Sequence, residues 1–161
     1  MWAILIVMKI KNNNHSLSLL IIIGVLMSSC SSSKIVLSHN IDITKYKYVI
    51  FGNETTGDRE LNDVVMVVQN QISETNLKVL SASDIVKIRE VADSILTPNI
   101  YVTSEKWDGG HTYITITFYD YETNQSVAVV KSSGIGMSIN RDQNIALGAI
   151  KKELNKLFGK D

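Results

Sequence analysis

The side chains best suited to chemistry lie at expected turns, and they are few. His111 follows Gly109-Gly110 and stands three residues after Asp108, with Trp107 close by. A His/Asp pair can move protons or hold a metal. With Asp120 it would supply the polar groups that a small-ligand or hydrolytic pocket needs. No nearby serine or cysteine completes a nucleophilic triad, and His15 and His39 are too distant in sequence for a metal-ligand spacing. Both His111 and His39 are therefore read as solvated. Ser133-Gly134-Ile135-Gly136-Met137 contains a Gly-x-Gly. A phosphate-binding loop needs its glycines where a strand ends and a helix begins at once, with a third glycine and a lysine. Here the glycines alternate within an expected strand, which favours close packing of the following helix, or a bulge. Asp58-Arg59-Glu60 and Asp63 place charge in the first turn of an expected helix, where acids complement the macrodipole. These readings lead to no catalytic residue, no metal and no cofactor.

Cys30 is the one cysteine, so an internal disulfide framework and a multi-cysteine zinc site are excluded. With 16 basic and 16 acidic side chains, the chain lacks the basic excess of a general nucleic-acid binder. The chemistry open to Cys30 is set by what precedes it. Residues 16–27 form a mostly apolar run of 12, short of the roughly 20 residues a spanning helix needs. The run suits the h-region of a secretory leader, with Lys9 and Lys11 as its positive flank. Met1–Val7 is a second apolar stretch ahead of that flank, which makes Met8 the more natural start.

Small residues before the cysteine let a peptidase approach the backbone, and Leu26-Met27-Ser28-Ser29-Cys30 resembles the lipobox of bacterial lipoproteins. Met27 stands where leucine is commonest. The resemblance implies acylation of the Cys30 sulfur, cleavage that makes Cys30 the new amino terminus, and in many species a further chain on its amine. Two or more acyl chains anchor stably where one is marginal. Residues 1–29 are then the leader, and the remainder keeps 14 basic against 16 acidic side chains. Ser31 after the cysteine fits, by the same resemblance, sorting to the outer membrane. The serine tract lacks the acidic cluster associated with surface export in Bacteroidetes, so a periplasm-facing anchor is expected.

Behind the cysteine, residues 30–44 read as a lipidated tether: Ser31–Lys34 solvated, with Ile35–Leu37 able to form a short edge strand. Residues 45–161 read as one globular domain. Tyr46–Phe51 is rich in aromatic and β-branched residues and predicts a strand. Leu61, Val64, Val65, Val68 and Ile72 make one helical stripe, capped by Asp58 and stopped by a left-handed Asn76. Leu77–Leu80 predicts a short strand. Ser81 with Asp84 resembles a capping box for a helix over 82–93, with Ile85, Ile88 and Ala92 inward. Leu96-Thr97-Pro98-Asn99 predicts a break. Strands are expected over 100–106, 111–121 and 125–138, and Asn140 with Gln143 would cap a last helix striped by Leu147, Ile150, Leu154, Leu157 and Phe158. The order β-α-β-(α)-β-β-β-α predicts an α+β two-layer sandwich, mostly antiparallel, with helices on one face.

The opening strand, the hairpin pair 112–121 and 126–136, and the turn Asp120-Tyr121-Glu122-Thr123-Asn124-Gln125-Ser126-Val127 resemble a group of small periplasmic lipoproteins of Bacteroidetes type. They also resemble the amino-terminal domain of TolB and the periplasmic domain of the curli-secretion lipoprotein. Asn124 replaces the usual glycine of a D-x-x-T-G-x-x-V turn and tolerates the left-handed conformation. The resemblance carries no catalytic residue and implies an assembly or adaptor role in the envelope.

Pairing of the 100–106 and 111–121 strands would gather Tyr101, Thr103, Glu105, Trp107, Tyr113, Thr115, Thr117 and Tyr119 on one face. Tyr and Trp are frequent interface anchors. The expectation is a non-enzymatic, lipid-anchored envelope protein, held to a membrane through Cys30. It would bind an envelope protein partner through Tyr101, Trp107, Tyr113 and Tyr119, with no nucleic acid involved.

Overall fold

A computed structural model of the chain describes residues 30–52, 59–107 and 110–159. In chain order its elements are β1 (Cys30–Leu37), β2 (Tyr48–Val49), α1 (Arg59–Ser73), β3 (Lys78–Val79), α2 (Ile85–Glu90), β4 (Ile95–Ser104), β5 (His111–Asp120), β6 (Ser126–Ile135) and α3 (Ile139–Phe158). The strands form one sheet in the order β1-β6-β5-β4-β2-β3. β4, β5, β6 and β1 are successively antiparallel, while β2 runs parallel to both β3 and β4.

Period-two alternation in β4, β5 and β6 sends one side of each strand into the core. Leu96, Ile100, Val102, Ile114, Ile116, Phe118 and Val130 are buried against Val64, Val65, Val68 and Ile72 of α1 and Ala146, Ile150, Leu154 and Phe158 of α3. The Phe118 and Phe158 rings meet edge to face, 5.1 Å between centroids. A smaller cluster of Ile50, Leu80, Ile88 and Ile95 sits apart from this core. Ile95 and Leu96 are adjacent in β4 and must point to opposite faces. The short helix α2 thus closes the β2–β3 end of the far face, while the two long helices cover the near one. The α+β architecture with a mostly antiparallel sheet is the one expected, but the helices do not all lie on one face: Ile88 of α2 packs against Ile95 on the other.

Several local expectations change. Pro98 does not break the chain: β4 begins before it, and Pro98 pairs with Phe118. The Glu105 N–H reaches the His111 carbonyl and the Tyr121 N–H reaches the Ile95 carbonyl, so odd-numbered residues of β4 bond to β5. Pro98 is even, and its missing N–H faces the β2 side, past the end of that two-residue strand. The helix expected over 82–93 is shorter. Asp84 is its N-cap, accepting from the Lys87 N–H at 3.3 Å, which leaves Ile85 60% exposed. Asn76 is not left-handed. Its backbone N–H and side-chain amide instead donate to the carbonyls of Phe158 and Gly159. Ser138, not Asn140, is the N-cap of α3. The leader, the lipobox residues before Cys30 and the Asp58 cap lie outside the described residues.

The largest change is β1. Cys30–Leu37 is paired along its whole length with Ala128–Ile135 of β6, including the serines expected in a solvated tether. The Ser33 hydroxyl donates to Glu153 of α3 at 2.8 Å, and Ile35 packs on the core. Serine is not among the residues enriched in strands, and pairing with β6 and the Ser33–Glu153 contact to α3 hold this segment.

Candidate functional site

Cross-strand register defines the open face of the sheet. Thr103 lies opposite Tyr113, and Tyr101 opposite Thr115. Tyr113 lies opposite Ser133, and Thr115 opposite Lys131. Lys131 lies opposite Lys34, and Ser133 opposite Ser32. Tyr101, Thr103, Tyr113, Thr115, Thr117 and Tyr119 therefore share one face as expected, and that face continues onto β6 and β1. Tyr101 is 62% exposed and Tyr113 46%, while Tyr119 is half-buried. Residues 35–44 do not cover the face. Ile35, Ile41 and Ile43 pack on the helical side instead.

Trp107 is not part of that face. β4 ends at Ser104, and Trp107 stands 61% exposed in the turn beyond it. A shallow depression of about 210 Å³ lies beside Tyr113, lined by Ser32, Lys34, Lys131 and Ser133 among others. The two lysines were not found by sequence reasoning. Alternation places Lys131 on the face once β6 is recognised, but nothing short of the β1–β6 pairing could place Lys34.

The polar groups weighed for catalysis do not converge. His111 begins β5 and Asp120 ends it, which separates them by about 30 Å at the rise of an extended strand. Asp108 lies outside the described residues. The His111 ring stacks on Tyr113 at 5.7 Å, and its Nδ1 lies 3.4 Å from Glu105 Oε2, which also accepts the His111 backbone N–H. Asp120 is buried and structural. Its Oδ1 accepts from the N–H groups of Glu122 and Thr123 and from the Thr123 hydroxyl, while Oδ2 accepts from the Tyr46 hydroxyl and the Lys45 ammonium. Burial pushes the Asp120 carboxyl up, but these donors together outweigh it and hold the group at about 2. Asn124 completes the turn at φ 54°, the left-handed conformation expected of it.

Gly134 and Gly136 serve packing. A Cβ on Gly134 would overlap the Asp142 carbonyl oxygen and stand 2.7 Å from the Ala146 nitrogen, so α3 rests directly on the β6 backbone. A Cβ on Gly136 would stand 2.8 Å from Asp142 Oδ1. The bulge in this sheet falls elsewhere, between Phe118 and Tyr119. A groove of about 510 Å³ between α1 and the start of α3 is lined by Asp63, Val67, Asn140 and Gln143 among others, and neither His111 nor Asp120 reaches it. Among the described residues no cluster of three metal-ligating side chains occurs, and no helix is long and apolar enough to cross a membrane.

Cys30 is exposed and unpaired as a thiol at the first position of β1. No family model and no curated protein matches the chain. Among solved structures it is similar to the PelC dodecamer from Paraburkholderia phytofirmans, with TM-score 0.52 and 12% identity, over 81% of this chain and 100% of that one. It is also similar to a PDZ domain protein from Parabacteroides distasonis, with TM-score 0.51 and 9% identity, over 83% of this chain and 37% of that one. At such identities the likeness establishes the fold alone.

Proposed function

We propose that this chain is a lipid-anchored, non-enzymatic envelope protein. It is held through Cys30 at the periplasmic side of the outer membrane and acts as an adaptor or assembly component by binding a protein partner on its open sheet face. The observation that carries the reading is that exposed tyrosines and two cross-strand lysines share one open face and, at Tyr113, one depression. Tyr101 and Tyr113 stand 62% and 46% exposed, and Lys34 and Lys131 face each other beside Tyr113. Each tyrosine offers an apolar body with a polar tip. Among the described residues neither lysine has a carboxylate partner, and two cross-strand cations call for an acidic counterpart. The partner surface is therefore one that presents an Asp or Glu to the depression at Tyr113. The fold similarity to a protein described as a dodecamer is in keeping with an assembly role.

The test replaces Tyr101 with a photo-crosslinking amino acid in cells. We expect one discrete protein adduct, reduced at least tenfold by Lys34→Glu with Lys131→Glu, or by Tyr113→Ala, in a chain that still folds. An adduct unchanged by both variants rejects the face. Labelled palmitate incorporation that depends on Cys30 tests the anchor separately.

A further inference from the structure

The pairing of β1 leaves no slack between Cys30 and the folded body. Cys30 lies opposite Ile135, and Ile135 lies opposite His111, so the starts of β1 and β5 and the end of β6 sit side by side within about 10 Å. The two connections beyond this same end carry exposed apolar side chains: Trp107 in the β4–β5 turn at 61%, and Met137 between β6 and α3 at 59%.

We propose that this end of the sheet is a membrane-contact rim, with Trp107 and Met137 seated in the phospholipid headgroup region. The inference rests on the reading of Cys30 as the acyl attachment point. Acyl chains must lie in the hydrocarbon, and a residue already fixed in the sheet brings its neighbours to the bilayer surface with it. The aromatic side chain in the β4–β5 turn is a tryptophan, which favours that boundary because its ring is apolar and its N–H polar. Trp107 thus belongs to a lipid surface and Tyr101 and Tyr113 to a protein surface, on two sides of one sheet end. The turn that carries Asp120 and Asn124 is at the opposite end of β5 and points away from the membrane.

The chain has two tryptophans, Trp2 and Trp107, so a Trp2→Phe version makes Trp107 the sole emitter whether or not the leader is removed. The full-length protein is purified from membranes and reconstituted into phosphatidylcholine/phosphatidylglycerol vesicles, with and without brominated acyl chains. Palmitate incorporation is measured on the same sample. We expect lipidated protein whose Trp107 emission is blue-shifted and quenched at least twofold by the brominated lipid. A companion version with Trp2→Phe, Trp107→Phe and Tyr121→Trp moves the emitter to the far end and should be unquenched. Lipidated protein with unquenched Trp107 emission, or a companion version quenched just as strongly, overturns the rim and leaves the anchor standing. Absence of palmitate overturns the anchor, and the rim falls with it.

Discussion

The Tyr46 hydroxyl donates to the Asp120 carboxylate at 2.9 Å, joining two residues 74 positions apart in the chain. Asp120 thereby ties the β5–β6 turn to the segment that enters β2. A hydrogen bond to a charged group contributes about 1.5–3 kcal/mol, so Tyr46→Phe should destabilise by about that amount in urea denaturation. Asp120→Asn should cost at least as much.

The same carboxylate sets an acid limit. Asp120 is held at about 2 against an ordinary 3.8. A depressed folded value means that its stabilisation is complete above pH ~4 and is lost as pH falls through about 2, a change of about 2 kcal/mol. The stability gap between wild type and Asp120→Asn should therefore be widest near neutrality and shrink between about pH 4 and 2, read from urea midpoints across that range.

Gly134 and Gly148 should respond in opposite directions to alanine. At Gly134 the new methyl would collide with the backbone of α3, whereas nothing lies within 4 Å at Gly148. We expect Gly134→Ala to cost about 3 kcal/mol or more, the upper end for overpacking, and to move α3 off the sheet. Gly148→Ala, in mid-helix, should stabilise by about 0.5–1 kcal/mol. Thermal melts of the two variants check both signs.

Lys34 and Lys131 are direct cross-strand neighbours and repel. Lys34→Glu converts this to an attractive pair and should raise stability by about 0.2–1 kcal/mol, an effect that added salt diminishes. The same substitution should weaken partner crosslinking, so a chain that is more stable yet binds less would mark these lysines as kept for binding.

The Ser33–Glu153 contact should govern how firmly β1 is held. Glu153 is kept below the usual carboxylate range by the Lys156 ammonium first and the Ser33 hydroxyl second. Ser33→Ala should cost about 1 kcal/mol and show itself as faster amide hydrogen exchange in β1, with β5 unaffected.

The elements legible in the sequence were those with a strict period. Alternation in β5 and the stripes of α1 and α3 marked their buried faces correctly, and the Asp120–Asn124 turn was legible from its residue types. What escaped had no local signal or a misleading one. Cys30–Lys34 has the composition of a linker and becomes a strand only because β6 offers an edge. Pro98 looks like a breaker until the N–H it lacks is known to be one that would face past the end of β2. Trp107 continues the alternation of β4 on paper, but the strand stops three residues earlier. Asp142 and Glu153 are buried acids on α3. Their spacing with Ala146, Ile150 and Leu154 was a usable sign, masked by the usual exposure of charged side chains. The open face was legible as a pattern, but its lysine half came from β1.

The pairing of β1 with β6 also fixes an order of events. β1 finds its partner about a hundred residues later in the chain, and the Ser33 hydroxyl has no Glu153 to bond until α3 has been synthesised. Closing so long a loop is the slow, non-local kind of contact. A nascent chain that stops short of Ser126 has no berth for β1, and completion of this sheet waits on β6, the last of the described strands in chain order.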